Sequence, residues 1–228
     1  MTLSKKQLQL RAKILETVYT LGPISRIEIA TKTGITPATT SSITNDLIKE
    51  NILLELGEDE HDTSVGRKKI LLDIQAKRFY YIGCELSEKH FTFALGDNLG
   101  NILKEEKEIV TKQLIQEKGN QLISQTLKQF LNNCSDYEIE AIGIALPGRY
   151  LDDYKITTNN PLWQHIDLEM IQSHFDKPLF FSNNVNCMAI GKRYLVANRM
   201  TLILLIFILL EVCTVLISTT ETFMGKEI

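Results

Sequence analysis

A run of small hydroxyl side chains lies in the segment 36–50, whose sequence TPATTSSITNDLIKE has helical periodicity. Ile43, Leu47 and Ile48 recur at helical spacing and should face a core. The predicted opposite face is short, neutral and rich in hydroxyl groups: Ala38, Thr39, Thr40, Ser41 and Thr44. Short hydroxyl side chains allow close approach to phosphates and base edges in a major groove, where Lys and Glu of an ordinary surface helix do not. The helix is therefore interpreted as a DNA-reading helix, with a Thr-rich amphipathic helix that has no partner as the alternative.

A second candidate for contact with nucleic acid is the basic quartet Gly66-Arg67-Lys68-Lys69. It lies between two β-favouring stretches, ILLELGE and ILLDI, which predict a hairpin directly after the hydroxyl-rich helix. Arg67 and Lys68 at the tip could contact phosphate or enter a minor groove. The arm before them is acidic and should point away from DNA; it carries Glu58, Asp59, Glu60 and Asp62.

Capping signals place the helices that must position these groups. Ser25 and Glu28 form a capping box, and Gly34 ends the helix that they begin. Thr36 caps the next helix, with Pro37 at its first position.

An earlier helix over 7–21 ends before Gly22-Pro23, and its apolar stripe consists of Leu8, Ile14, Leu15, Val18 and Leu21. The apolar side of the helix after Ser25 is expected to be Ile27, Ile29 and Ala30. These elements predict a winged helix-turn-helix domain over 1–76. Its expected DNA contacts are Ser25, Arg26, Thr36, Pro37, Thr39, Thr40, Ser41, Thr44, Arg67 and Lys68.

Charge is distributed unevenly along the chain, whose formal net charge is −3. Residues 1–78 contain 12 Lys and Arg against 10 Asp and Glu, and the remainder carries a net charge of −5. A mildly basic first third on an acidic remainder suits one DNA-facing module on an ordinary soluble domain. The four cysteines are scattered without metal spacing, which favours a reducing cytosol and argues against zinc or a disulfide framework. No metal or cofactor is expected. No signal peptide opens the sequence, so a cytoplasmic location is expected.

The second part of the chain alternates strands and helices after a three-stranded meander. Strands are predicted over 79–86, 91–97 and from Ile102 onward, followed by a helix over 114–131. A buried strand over 139–146 ends in Pro147-Gly148, and a strand over 179–181 precedes a helix over 189–196. This order predicts an α/β fold.

The order of these segments resembles the ROK family, which groups sugar-responsive repressors, xylose-repressor-like proteins among them, with sugar kinases. The segments that carry the resemblance are IGCELSEKHFTFALGDNLGNIL, AIGIALPGRY, NNPLWQHIDL and PLFFSNNVNCMA, after the predicted winged helix. The resemblance implies that residues 77–199 form one lobe of an actin-like ATPase (ribonuclease H-like) fold. It also implies a double-stranded DNA operator, a sugar or sugar-phosphate effector and a homodimer when the protein is intact.

Two departures from the kinase members argue against catalysis. Where kinases carry an Asp followed by two glycines, this sequence has Glu85, Leu86, Ser87 and Glu88, and Glu88 would repel phosphate. Where the family has Asn-Asp-Ala-Asn, with the Asp as general base, this sequence has Asn at 184, and an amide cannot accept that proton. The resemblance implies that the chain binds a sugar without phosphorylating it. The residues expected to hold the sugar are Pro147, Gly148, Asn159, Asn160, Asn183 and Asn184, with Trp163 nearby. A polar loop that caps the next helix is the alternative for the asparagines after the last strand.

The segment 200–228 does not resemble the family. Residues 201–217 are apolar and, at about 17 residues, reach the short limit for a membrane helix, although Glu211 interrupts them. Read one base back from Glu211 with freely chosen codons, residues 212–228 can encode GMHCSYFYNGDIYGKGN, which resembles the family's glycine loop. A frameshift that leaves an aberrant tail and a truncated product is therefore expected, and sequencing of the gene would test it. The remaining alternatives are a sugar kinase with a DNA-binding extension and a membrane-tethered regulator.

Overall fold

The computed structural model describes residues 4–58, 68–151 and 155–187, which divide into two compact units at the Arg78–Phe79 bond. The predicted helix over 189–196 and the whole segment 200–228 lie outside the described residues.

The first unit consists of three helices and a small antiparallel sheet. Its elements in chain order are α1 (Lys5–Leu21), β1 (Ile24–Ser25), α2 (Arg26–Thr33), α3 (Pro37–Lys49), β2 (Leu53–Glu58) and β3 (Ile70–Ile74). The predicted caps are confirmed: Ser25 and Glu28 form a capping box, and the Thr36 side chain accepts from Thr39 N. Gly34 has φ of +70°, the left-handed conformation that lets α2 end and the chain turn within three residues into α3.

The core of the first unit is apolar and draws on every helix. Ile14, Ile29, Leu47 and Leu72 are fully buried in it. Two predictions about this core were wrong. Ile27 is 65% exposed. It lies two residues before buried Ile29, and two residues rotate the helix by about 200°, which places Ile27 on the opposite side of α2. Leu21 is 47% exposed because it is the last residue of α1, past the turn that packs on the core.

The predicted hairpin after α3 is confirmed by the pairing of β2 with β3. The strand order is β1-β3-β2, all antiparallel, with a bulge between Glu55 and Gly57. The tip of the hairpin, residues 59–67, lies outside the described residues, and with it Arg67.

The second unit is a mixed α/β structure built on one five-stranded sheet. Its elements are β4 (Tyr80–Leu86), β5 (His90–Asp97), β6 (Ile102–Ile109), α4 (Lys112–Asn132), β7 (Ile139–Leu146), β8 (Arg149–Leu151), β9 (Lys155–Thr157), a 3-10 helix (Pro161–Trp163), α5 (Leu168–Gln172) and β10 (Leu179–Asn183). The sheet order is β10-β7-β4-β5-β6, in which β10, β7 and β4 are parallel and the other pairs are antiparallel. The predicted meander, the long helix and the mixed α/β class are confirmed.

Helix α4 is kinked at a point that contacts the loop after the 3-10 helix. Lys118 has non-helical φ/ψ of −139° and 25°. His165 Nε2 donates to the carbonyl of Ile115 at 3.1 Å, which requires the proton on Nε2. A Cβ added at Gly119 would lie 2.6 Å from Ile166 Cδ1 and 3.2 Å from His165 Nε2. The kink and Gly119 therefore allow His165 and Ile166 to pack directly against α4.

Candidate functional site

The exposed surface of α3 differs from the one predicted. Thr40 and Thr44 were expected to face outward, and this was wrong, because both side chains are fully buried. They stand in line with Ile43 and Leu47, so the buried stripe follows the spacing i, i+3, i+4, i+7 of an amphipathic helix. The hydroxyl of Thr40 has no hydrogen-bond partner among the described residues.

The side chains that α3 does expose form its outer face. They are Pro37, Ala38, Ser42, Asn45, Asp46 and Lys49, with Thr39 and Ser41 half-buried and the cap Thr36 exposed. Ser42 and Asn45 were missed as candidates from the sequence. The spacing of the buried residues could have found them, since positions 38, 42, 45 and 49 recur on the opposite side.

Ser25 and Arg26, predicted as DNA contacts, are engaged within the unit. The Ser25 side chain is buried, and its hydroxyl donates to Glu28 Oε2 at 2.6 Å. These hydrogen bonds from Ser25, and then the charge of Lys69, hold the pKa of Glu28 below its ordinary value although burial opposes them. Arg26 bonds Thr44, Asn45 and Glu55. The structure thus directs both side chains toward the helix pair itself.

The basic residues at the base of the hairpin have acidic partners. Lys68 Nζ lies 3.9 Å from Glu58, and Lys69 Nζ lies 3.6 Å from Glu28. The pair of Lys68 with Glu58 is solvent-exposed and so is worth only about 0.2–1 kcal/mol, whereas Lys69 and Glu28 are half-buried.

In the second unit, the predicted sugar residues meet at the carboxyl ends of the parallel strands. Asn183, at the end of β10, donates through Nδ2 to the carbonyl of Gly148 at 2.7 Å. Thr158 donates to the carbonyl of Pro147 at 3.3 Å and accepts from the backbone of Asn160 at 3.1 Å. This edge is where open α/β sheets bind ligands. We call the set Glu88, Pro147, Gly148, Asn160 and Asn183 the carboxyl-edge cluster.

The asparagines differ in how far the protein already uses them. Asn183 Oδ1 accepts from Val185 N at 2.9 Å and from Asn186 N at 3.3 Å, which caps the helical residues 184–187. Asn160 is held by Glu88 and by Leu162 N. Asn159 is exposed and has no side-chain hydrogen bond among the described residues, and the Asn184 amide nitrogen is likewise without one there.

The negative charge of Glu88 is paired with the positive charge of Lys112. Its carboxylate lies 2.6 Å from Lys112 Nζ and accepts from Asn160 Nδ2. The hydrogen bonds from Lys112 and then Asn160 hold the pKa of Glu88 below its ordinary value. Glu88 therefore links the turn between β4 and β5 to the start of α4 and to the residue before the 3-10 helix.

Metal sites and membrane-spanning helices are both absent from the part of the chain that the structure describes. No group of three or more His, Cys, Asp or Glu side chains there could hold a metal ion. No helix among those same residues is long and apolar enough to cross a membrane, and the segment 201–217 falls outside them.

Comparison with known proteins gives a consistent set of relatives. Residues 81–212 match the model of the ROK family. A xylose repressor of Bacillus spizizenii is 30% identical over 189 residues, which cover 79% of this chain and 47% of that protein. The DNA-binding transcriptional dual regulator NagC of Escherichia coli is 26% identical over 196 residues, covering 82% of this chain and 47% of NagC.

A solved ROK family transcriptional regulator, a homolog of the E. coli MLC protein, matches this structure with a TM-score of 0.65 and 20% identity. The match covers 83% of this chain and 49% of that one, and it extends the likeness in fold to most of the chain. The chain spans about half the length of the curated relatives it matches.

Proposed function

Since this chain belongs to the ROK family, we propose that it is a sequence-specific DNA-binding transcriptional repressor of carbohydrate-utilisation genes. The first unit acts as a winged helix-turn-helix domain that binds a double-stranded operator. The second unit is a sugar-sensing domain without catalytic activity. Two relatives support this proposal by name, one as a xylose repressor and one as a DNA-binding transcriptional regulator.

The observation that carries the proposal is the outer face of α3. α2 and α3 are joined by a three-residue turn that contains Gly34, the arrangement of a helix-turn-helix. The N-terminal half of α3 exposes only short side chains, including Pro37, Ala38 and Ser42. A recognition helix lies in the major groove with its exposed side chains toward the base edges, and short side chains in its N-terminal half let the backbone approach closely.

The paired strands β2 and β3 supply the wing. Arg67 and Lys68, which precede β3 in the sequence, are the side chains proposed to contact phosphate or the minor groove. Since exposed ion pairs are weak, the contact between Lys68 and Glu58 costs little to replace.

In the second unit the carboxyl-edge cluster supports sugar binding without phosphoryl transfer. Asn159 and Asn184 have amide groups that sugar hydroxyls could use, whereas Asn183 acts as a cap. Where the kinase members carry an Asp followed by two glycines this chain has Glu85, Leu86, Ser87 and Glu88, so the close approach to phosphate that the glycines allow is absent here. Asn184 cannot serve as a general base. A sugar would change DNA affinity only by binding two conformational states differently, and a homodimer would double the contact with the operator.

A salt-dependent titration tests the DNA-binding part. The full chain is titrated against the duplex that it selects best from a pool of random 30-base-pair duplexes, and against an unselected duplex. We expect a clear preference for the selected duplex. Arg67→Ala should weaken binding to both duplexes and reduce the salt slope by about one. The control Lys107→Ala, which removes an exposed positive charge from the second unit, should leave the slope unchanged. Equal affinity for both duplexes at low salt would refute the proposal.

The sugar-sensing part needs a separate measurement. Two sugars are each titrated into the chain and into its complex with the selected duplex: D-xylose, from the name of the Bacillus spizizenii relative, and N-acetylglucosamine, from the name of an Escherichia coli N-acetylglucosamine repressor that is 26% identical over 196 residues. Binding that lowers DNA affinity and is lost in Asn184→Ala supports the proposal. Formation of a sugar phosphate from ATP would instead show a sugar kinase with a DNA-binding extension.

A further inference from the structure

Arg26 connects three elements of the first unit through its guanidinium group. Its Nε donates to Thr44 Oγ1 at 3.1 Å. Its Nη2 donates to Asn45 Oδ1 at 3.0 Å and to Glu55 Oε1 at 2.8 Å. The side chain is only 22% exposed, so α2, α3 and β2 hold it together. Arg26 is the side chain that joins the outer face of α3 to the base of the hairpin.

These contacts fix which way the Asn45 amide points. A guanidinium has hydrogen-bond donors and no acceptor, so the side chain of Asn45 must turn its oxygen toward Arg26. The Nδ2 group of Asn45 then points away from Arg26 with two N–H donors. Among the described residues nothing accepts a hydrogen bond from it, and Asn45 lies on the outer face of α3 one turn after Ser42.

The major groove distinguishes a donor from an acceptor. Guanine presents N7 and O6 as acceptors there, adenine presents N7, and thymine presents O4, whereas cytosine presents the N4 donor. A side chain held with its N–H group outward can therefore bond three of the four bases. It meets cytosine donor against donor.

We propose that Asn45 reads a base edge as a hydrogen-bond donor, and that Arg26, held by Glu55, is the positioning residue that sets this orientation. The inference rests on the proposed DNA-binding function of the first unit. It assigns Arg26 a role in base preference through Asn45, in place of the direct DNA contact predicted from the sequence. It also assigns base preference against cytosine to one position in each half-site.

The decisive experiment exchanges the donor of Asn45 for an acceptor of the same shape. The wild-type full chain selects its best duplex from a pool of random 30-base-pair duplexes, and every position of that duplex is then changed singly to each other base. We expect one position per half-site at which wild type binds cytosine about 3- to 10-fold more weakly, the value of one hydrogen bond. Asn45→Ala should lose the discrimination at that position. Asn45→Asp should prefer cytosine there, because a carboxylate accepts from N4.

A matched control separates the exchange of atoms from the added negative charge. Asn51→Asp makes the same chemical change just past the end of α3, at a residue with φ of 59° that both Asn and Asp tolerate. It should weaken binding to all duplexes by a similar factor without altering base preference. A merely structural role for Asn45 would leave it indistinguishable from this control.

The positioning role of Arg26 has its own readout. Arg26→Ala should reduce the discrimination against cytosine at the Asn45 position while other positions keep their preferences, and Arg26→Lys should restore part of it. Glu55→Gln leaves Arg26 in place with a weaker partner and should give a smaller reduction, which keeps the test informative if Arg26→Ala unfolds the unit. Unchanged base preference in Arg26→Lys and Glu55→Gln would overturn this role.

The outcomes distinguish the inference from the function on which it rests. If the wild type selects no duplex, the proposed DNA-binding function fails and the inference fails with it. If it selects a duplex and Asn45→Asp keeps every wild-type base preference, the DNA-binding function stands and the inference is overturned.

Discussion

Removal of the Asn183 side chain tests whether this residue supports the carboxyl edge. Asn183 occupies the N-cap position before the helical residues 184–187. Its side-chain amide also donates to the carbonyl of Gly148, which lies two residues past the end of the neighbouring parallel strand β7. Loss of an N-cap costs about 1 kcal/mol. Loss of a hydrogen bond costs a further ~1 kcal/mol. We therefore expect Asn183→Ala to lower the free energy of unfolding of the second unit by about 2 kcal/mol.

The chain has one tryptophan, Trp163, which is fully buried in the core of the second unit. Its fluorescence therefore reports urea unfolding of that unit alone. With a denaturant slope of about 2 kcal/mol per molar, Asn183→Ala should move the urea midpoint down by about 1 M. Asn183→Ser keeps a capping oxygen but is too short to reach Gly148, so it should lose about half as much.

Asn159→Ala is the matched control because Asn159 is exposed and makes no side-chain hydrogen bond among the described residues. Its midpoint should stay within the ~0.5 kcal/mol typical of surface substitutions. Equal midpoints for Asn183→Ala and Asn159→Ala would refute the capping role and leave direct ligand contact as the use of Asn183.

Three further predictions concern the first unit, and hydrogen exchange of the α2 and α3 amides measures each of them. Leu47→Ala removes a fully buried side chain and should lower the free energy of unfolding by about 2–5 kcal/mol. Leu56→Ala, at a 52% exposed position, should lower it by under ~0.5 kcal/mol. Similar losses for the two variants would contradict the described core. Gly34→Ala places a Cβ at φ of +70° and should lower the free energy of unfolding by about 1–2 kcal/mol, with a smaller loss for Gly34→Asn. Undiminished amide protection in Gly34→Ala would mean that α2 ends differently. The pKa of Glu28 is lowered in the folded state, so its stabilisation is present above the unfolded pKa and is lost as the pH falls through the folded one. Protection should decline over that acidic range, and Glu28→Gln should flatten the decline.

Local chemistry made the helix boundaries of the first unit predictable. The capping box of Ser25 and Glu28, the left-handed Gly34 and the Thr36-Pro37 start depend on residues at most three apart. Such signals are complete in the sequence, because the groups that satisfy each helix end are its immediate neighbours.

The outward face of α3 was predicted less well because residue type was given more weight than spacing. Thr40 and Thr44 are hydroxyl residues, yet they share the buried stripe of Ile43 and Leu47. The bonds from Arg26 to Asn45 and Glu55 span 19 and 29 residues and have no local signal. The same limit applies to the contact between Asn160 and Glu88, 72 residues apart, which only the folded sheet brings together.

The kink in α4 constrains how this sequence can vary between relatives. His165 donates to the carbonyl of Ile115, and a Cβ at position 119 would require the end of the Ile166 side chain to shift. A change of Gly119 alone therefore requires the side chains of Ile166 and His165 to move, and a change of His165 alone leaves the carbonyl of Ile115 without this donor. Substitutions at these positions should arise together during divergence. Where a relative has lost the glycine, its helix is expected to run straight and its loop to differ in length or in path.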